Sequence, residues 1–261
     1  MERKRVSIDP KLFPSSVNRL LSGVPVYDSS CSDAARVWFI DRDGGYYLKS
    51  APAGSLKEEA AMTGFLHQKG LAPEVAHYEQ SDADWLLTRR IPGEDCLSKQ
   101  YLDDPNRLCD TLANLLRMLH ETDVSGCPIS NRTDIYISTA IKNYRLGKWH
   151  PSRFPDGQQL SCPEDAWAVV QEFSGALKAD TLIHGDFCLP NVMLDNWTFS
   201  GFIDLGSSGM GDRHMDLFWG CWSLRYNLKT DAYRGRFLDV YGRDHFDPDI
   251  LRAIAAFEAF G

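Results

Sequence analysis

The period of the apolar residues changes once along this chain, near residue 91, and no other feature restricts its fold as much. Before that point the apolar residues come in short runs rich in β-branched and aromatic side chains, which suits strands. "ARVWFID" (35–41) and "GYYLKS" (45–50) are two such runs, joined by the hairpin-turn chemistry of "RDGG". "EVAHYEQ" (74–80) and "DWLLTRR" (84–90) resemble a second pair across a polar turn. Between the pairs, "SLKEEAAMTGFLHQKG" (55–70) reads as a helix, with Ser55 as its cap, Glu58 as the capping-box partner and Gly70 as its end. Beyond "IPGE" (91–94) the period becomes helical. In "RLCDTLANLLRMLHE" (107–121), Leu108, Leu112, Leu115, Leu116 and Leu119 fall on one face. Residues 145–165 are rich in Pro, Gly and polar groups and read as a loop or insertion. "PEDAWAVVQEFSGAL" (163–177) is again helical, with Trp167, Val170 and Leu177 inward, and the tail from 215 to 260 carries Trp, Leu and Phe at helical spacing. A β-rich front and an α-rich back predict an α+β chain of two lobes, 1–91 and 92–261, with a cleft between them.

Composition narrows the functions open to such a chain. Its 261 residues supply ample core for two lobes. A net charge of −8 argues against a nucleic-acid partner, which would call for a basic face. No apolar run approaches the roughly 18 residues that span a bilayer, and "MERKRVSIDPKLFP" lacks the apolar core of a signal peptide. Seven cysteines without a C-x-x-C pair suggest neither a zinc site nor a disulfide framework, and fit reduced thiols in the cytoplasm. A soluble cytoplasmic enzyme is the expected class.

The chemistry concentrates in "LIHGDFCLPNVML" (182–194) and "SGFIDLG" (200–206). Asp186 is followed five positions later by Asn191, and then, past a hairpin with "DNW" as its turn, by Asp204-Leu205-Gly206. Asparagine is an unusual ligand for zinc or iron but suits magnesium, which prefers hard oxygen donors. Asp, then Asn, then Asp-x-Gly is the order found in the catalytic loops of kinases, where one aspartate meets the attacking hydroxyl and the other two residues hold Mg²⁺ against nucleotide phosphates. That chemistry also needs a strand lysine held by a helix glutamate. Lys49 ends the strand "YYLKS", and Glu58 and Glu59 lie on the helix after it. Spacing does not separate the two glutamates; Glu59 is preferred because Glu58 is the expected capping partner.

These motifs, together with "GDRHMDLFWGCWSLR" (211–225) and "FEAF" (257–260), resemble the aminoglycoside phosphotransferases, and most closely the 3′-phosphotransferases of the kanamycin and neomycin type. Weaker similarity runs through "SSCSDAARVW", "YYLK", "LAPEVAHYE", "LLTRRIPGE" and "LRMLHETD". The resemblance implies a protein-kinase-like fold with a five-stranded front lobe and the active site in the cleft. It implies transfer of the γ-phosphoryl group of ATP or GTP to an aminoglycoside hydroxyl, with Mg²⁺, and thereby antibiotic resistance. Carried over, Asp186 is the catalytic base or hydroxyl-orienting group, and Asn191 and Asp204 are the metal ligands. Lys49, held by Glu59, contacts the α- and β-phosphates, Ser32 closes over them, and Arg89 to Ile91 form the hinge against adenine. His184 matches a histidine that packs and hydrogen-bonds the loop backbone.

The same resemblance assigns the polycationic substrate to Asp156, Arg225, Glu258 and Phe260. It departs from the kanamycin-type pattern at Ser207, where arginine is common, at Tyr226, where an acid is usual, and at Phe257, which replaces the aspartate of a closing Asp-Glu pair. Two missing carboxylates predict a narrowed or shifted substrate range, to be broadened by Tyr226→Asp and Phe257→Asp. The rival readings are a kinase of the same fold acting on another small alcohol, sugar or amino alcohol, and a pseudokinase-like binding module. The intact set Lys49, Asp186, Asn191 and Asp204 speaks against the latter. A protein kinase is disfavoured by the lack of an Ala-Pro-Glu pattern after Asp204. The expected state is a monomer or weak dimer, with no nucleic-acid or membrane partner.

Overall fold

In the computed structural model, which describes residues 4–9, 13–31, 35–150, 160 and 162–261, the chain gathers into two units. One comprises Met1–Gly93 with Ser200–Gly206, the other Glu94–Phe199 with Ser207–Gly261. The units differ from the expected 1–91 and 92–261 division in two respects. The first extends two residues further, and it takes back a later segment that carries Asp204.

The first unit is an antiparallel sheet with two helices. Its strands are β1 (Lys4–Val6), β2 (Val26–Asp28), β3 (Arg36–Ile40), β4 (Tyr46–Pro52), β5 (Val75–Gln80) and β6 (Ala83–Arg89), in the order β1-β2-β3-β4-β6-β5. Among the described residues that is six strands, where the resemblance implies five. β1 (KRV) carries two basic residues in three and no alternation that would mark it as a strand. Helix α1 (Ser15–Leu21) joins Phe13, Val17 and Leu21 to Val26, Ile40, Leu48 and Leu87 in one apolar cluster. Side chains alternate across a strand, so the residues beside Leu48 and Leu87 face the other way. There Ala51 and Leu86 pack against Leu56 and Ala60 at the start of α2 (Lys57–Gln68). Lys49 lies on β4 between Leu48 and Ala51, directly opposite Leu86.

Helix α2 starts two residues later than its sequence suggests, and the Ser55–Glu58 capping box does not form. Ser55 Oγ donates to the Pro52 carbonyl, and the N-cap position is Leu56, which has no side-chain cap. The cap comes instead from Asp84 on β6. Its Oδ2 accepts from Leu56 N–H at 2.8 Å and from the Tyr78 hydroxyl at 3.2 Å, and its Oδ1 accepts from Gly54 N–H at 2.9 Å. A carboxylate at a helix N-terminus satisfies amides that the helix itself cannot.

The second unit is mostly helical: α3 (Lys99–Leu102), α4 (Pro105–His120), α5 (Arg132–Arg145), α6 (Pro163–Phe173), α7 (Arg213–Leu228), α8 (Arg234–Tyr241) and α9 (Pro248–Glu258). Asp104-Pro105 and Asp247-Pro248 open α4 and α9 with an acidic cap and a proline at the first position, a pairing that needs no N–H from the proline. Of the leucine stripe of α4, Leu108, Leu112, Leu116 and Leu119 are buried and Leu115 is half-buried, and Cys109, Ala113 and His120 join the buried face. Two short antiparallel ladders complete the unit. β8 (Thr181–Ile183) pairs with β11 (Gly209–Gly211), and β7 (Glu94–Asp95) pairs with β9 (Val192–Asp195). β9 leads through Asn196 and Trp197, both at positive φ, into β10 (Thr198–Phe202), which carries the chain out of the helical unit. Among the described residues, no helix is long and apolar enough to cross a membrane.

Candidate active site

The motif residues divide between the units. In the first, strand alternation aims Lys49 toward α2, and the first turn of that helix presents Glu59. The Lys49 ammonium lies 2.9 and 2.8 Å from Glu59 Oε1 and Oε2, and 2.8 Å from Asp204 Oδ1. Glu59 is therefore the partner; Glu58 is on the exposed side of the same turn. The Lys49 side chain is 21% exposed, Glu59 10% and Asp204 53%. Burial works against the Lys49 charge, yet two carboxylates outweigh it and hold the ammonium above its usual pKa. Burial, reinforced by the Asp204 charge, outweighs Lys49 at Glu59 and leaves that carboxyl above its usual range. Two acids on one base leave the cluster with an excess negative charge that a cation would relieve. Asp204 has φ +59°, a left-handed backbone that aspartate tolerates better than most residues.

Of the expected hinge, the N–H groups of Arg89 and Arg90 are engaged by the Glu74 and Gly45 carbonyls at 2.9 and 3.0 Å. The Arg89 side chain bonds Glu74 at 2.9 Å and lies over the Tyr46 ring. The half-buried Ile91 has no hydrogen-bond partner for its N–H among the described residues. Ser32 lies outside the described residues.

In the second unit Asp186 follows β8 in a loop tied by backbone hydrogen bonds. Asp216 on α7, fully buried, accepts from His184 N–H through Oδ2 and from Gly185 N–H through Oδ1, both at 2.7 Å. His184, also fully buried, accepts the Asp186 N–H on Nδ1 at 3.3 Å, a hydrogen bond to the loop backbone. Gly185 is at φ +82°, and a Cβ there would stand 2.1 Å from the Ser207 carbonyl oxygen. Only glycine fits. Past Asp186, Ser223 Oγ accepts the Leu189 N–H at 3.0 Å, and a 3₁₀ turn over Leu189–Asn191 brings the asparagine back. Asn191 Nδ2 donates to the Asp186 carbonyl and to Asp186 Oδ2, each at 2.9 Å. Its nitrogen is thus committed, which orients its oxygen as a donor for a hard cation.

Asp216, Ser223 and Asp84 were not singled out by the sequence reading. The signal for Asp216 is present in "HMDLFWG", a carboxylate amid apolar residues on the inner face of a helix.

The expected substrate residues are spread over the second unit. Asp156 lies outside the described residues. Arg225 borders a cavity of about 20 Å³ with Cys221, Trp222, Asp231 and Arg234, room for about one water. Glu258 is only 4% exposed and accepts the Tyr136 hydroxyl at 2.8 Å. Phe260 is buried against Tyr144, Trp149 and Trp167, and its carbonyl accepts from Asn143. Glu258 and Phe260 are thus part of the packed core of the second unit. Phe257 is fully buried and stacks on Tyr136, so an aspartate there would be a buried, unpaired charge and not a restored surface acid. Tyr226 is 57% exposed, stacks on Trp222 and has the Lys229 ammonium over its ring.

A strand lysine clamped by a helix glutamate, an Asp–Asn loop and an Asp-x-Gly aspartate are residue types that phosphoryl transfer calls for. Residues 28–254 match the model of the phosphotransferase enzyme family, and the chain belongs to that family. It is 43% identical, over 99% of its own length and 98% of the relative's, to a probable aminoglycoside 3′-phosphotransferase of Lactococcus lactis. A streptomycin 3″-kinase of Streptomyces griseus is 33% identical over 80% of this chain and 82% of that protein. Among solved structures, the aminoglycoside phosphotransferase APH(3″)-Id from Streptomyces rimosus, in complex with ADP and streptomycin, superposes with a TM-score of 0.70. It is 25% identical and covers 86% of this chain and 90% of that one. The fold is accordingly α+β of the protein-kinase-like kind.

Proposed function

We propose that this phosphotransferase moves the γ-phosphoryl group of ATP or GTP to an aminoglycoside hydroxyl, the 3′-hydroxyl in the first instance, and so confers resistance. The observation that carries the reading is the Lys49–Glu59–Asp204 cluster, because an ammonium held between two carboxylates in this order has the charge and geometry that nucleotide phosphates and a cation require. Lys49 binds the α- and β-phosphates while Glu59 keeps it extended, Ile91 N–H meets the adenine edge within the segment from Arg89, and Ser32 covers the phosphates. Among the described residues no three His, Cys, Asp or Glu side chains gather as a metal cage. The donors do fit Mg²⁺ as kinases bind it, with one carboxylate (Asp204), one amide oxygen (Asn191) and the rest from phosphate and water. Bound there, Mg²⁺ supplies neutralisation of phosphate charge.

Asp186 accepts a hydrogen bond from the substrate hydroxyl and takes its proton as the oxygen attacks the γ-phosphorus. The bond from that phosphorus to the bridging oxygen breaks, and the nucleoside diphosphate leaves. Arg225, Glu258 and Phe260 shape the substrate side, together with Asp156. The use of a nucleoside triphosphate places the reaction in the cytoplasm, and the working unit is a monomer or weak dimer.

A coupled nucleotide-turnover assay over kanamycin, neomycin, streptomycin, uncharged sugars and simple amino alcohols tests the proposal, with the modified hydroxyl located by NMR of the product. The expected result is stimulation by aminoglycosides. Turnover driven only by an uncharged alcohol would replace the substrate assignment with the rival one.

A further inference from the structure

The "LRMLHETD" stretch brings α4 to an end on a histidine for which the proposed chemistry has no use. His120 follows Leu119 on the buried stripe of that helix. Its Nε2 lies 3.1 Å from Asp216 Oδ2, and its Nδ1 lies 2.8 Å from the Tyr241 hydroxyl at the end of α8. A carboxylate only accepts, so Nε2 carries the imidazole proton and Nδ1 receives the Tyr241 O–H. Burial outweighs Asp216 and keeps the His120 pKa below its ordinary value, while burial pushes Tyr241 up to about 12. At neutral pH the ring is neutral and the phenol protonated, as that assignment needs. The Asp216 carboxylate, receiving His120, is the same one that holds the His184 and Gly185 amides. Hydrogen bonds thus link α8 through α4 to α7 and to the residues that present Asp186, with His120 from one side and the His184 and Gly185 amides from the other all donating to the Asp216 carboxylate.

We infer that Tyr241 and His120 are positioning residues: Tyr241 fixes the His120 tautomer, His120 fixes the Asp216 rotamer, and Asp216 thereby sets the loop that aims Asp186. A packing role alone would be served by any apolar side chains of the same size. It would not call for a donor on each link, nor for a polar chain through buried positions of the unit. The inference rests on the phosphotransfer reading for its kinetic consequence, and not for its effect on the loop.

Three variants of the full-length protein test it. Tyr241→Phe keeps the ring and removes one donor. His120→Leu keeps the volume and removes both links. His120→Gln keeps an N–H that reaches toward Asp216. The kcat for aminoglycoside phosphorylation is expected to fall about three- to tenfold in Tyr241→Phe and more than about tenfold in His120→Leu, the scale of one neutral and one charge-assisted hydrogen bond. The nucleotide KM should change less than about twofold, within the ordinary scatter of a remote substitution, and His120→Gln should recover much of what His120→Leu loses. Hydrogen–deuterium exchange over residues 182–190 is expected to quicken in Tyr241→Phe and His120→Leu whether or not any aminoglycoside is turned over, which separates this inference from the substrate assignment. Unchanged exchange in that peptide, or a Gln variant no better than Leu in a folded protein, would show that the pair only fills space.

Discussion

Lys49 and Asp186 each carry one charge of the proposed reaction, and opposite means hold them in place. Lys49 stands among charges: two carboxylates within 2.9 Å pull on its ammonium, and one of them, on Asp204, is half open to solvent. Asp186 stands among dipoles, with its amide on His184, the two residues before it on Asp216 and its carboxylate against the Asn191 amide. An ion cluster changes with whatever charge arrives, because its energy depends on counter-ions, protonation and screening. A loop held by buried backbone hydrogen bonds is set before any ligand comes, and its geometry costs nothing to assemble at the moment of reaction. The first unit thus carries the adaptable arrangement, as the proposed binding of a charged nucleotide asks, and the second carries the fixed one, as the proposed meeting with one hydroxyl asks.

The sharpest way to break this contrast is to strike the fixed half at its reacting atom. Asp186→Ala should lower kcat by about 10²–10⁴-fold while nucleotide affinity, measured by titration with a non-hydrolysable analogue, stays close to that of the wild type. Retention of more than a tenth of wild-type kcat would remove Asp186 from its role. Gly185→Ala comes next. The new Cβ meets the Ser207 carbonyl at 2.1 Å, the loop must move by about an ångström, and misplacement on that scale costs about 10²-fold in rate. Here too kcat should fall alone, and a parallel fall in nucleotide affinity would mean that the two halves are not separable. Asp84→Ala strikes the adaptable half from behind. It leaves the Gly54 and Leu56 amides without their acceptor, at about 1–3 kcal/mol for each amide that stays unpaired. Thermal unfolding should reveal that loss, and nucleotide affinity should weaken as Glu59 loses its fixed helix, with kcat at saturation much less affected.

The smallest effect concerns pH. The Glu59 pKa is raised in the folded protein, so the folded state holds that proton more tightly than the unfolded chain does. The stability this contributes is complete below the unfolded value of about 4.3 and is lost as pH rises through the higher folded value. Denaturant melts across that window should show the wild type losing stability relative to Glu59→Gln as pH increases. The same comparison made for Asp204→Asn sharpens the contrast, because the Asp204 charge contributes to the Glu59 shift.

What could be read from the sequence was what lies close together along it. Asp186, Asn191 and the Asp204 triplet fall within one short stretch, and the chemistry that needs them dictates their spacing. Lys49 and Glu59 are legible because one strand and the next helix carry them, although Glu59 was preferred on the strength of a capping box that does not form. The helix begins at Lys57 and takes its cap from Asp84, 28 residues past Leu56. Asp84 itself is hidden by its setting, since an acid in "ADWLL" reads as the solvent face of an alternating strand. Asp216 and His120 gain meaning only from each other, across 96 residues. Helix α5 went unassigned because the β-branched residues of "RTDIYISTAIKNYR" weaken its helical stripe.

The return of Ser200–Gly206 to the first unit sets a schedule for making this protein. A ribosome delivers Met1–Gly93 early, but the strand end that docks there, with Phe202 N–H on the Leu71 carbonyl at 2.8 Å, comes only after Glu94–Phe199 has been synthesised. Until then the Leu71 carbonyl lacks its donor and Lys49 lacks Asp204, so the first unit emerges incomplete. A chain cut at Gly93 would keep that defect permanently, whereas supplying the remainder in trans offers a way to switch the enzyme on by fragment complementation.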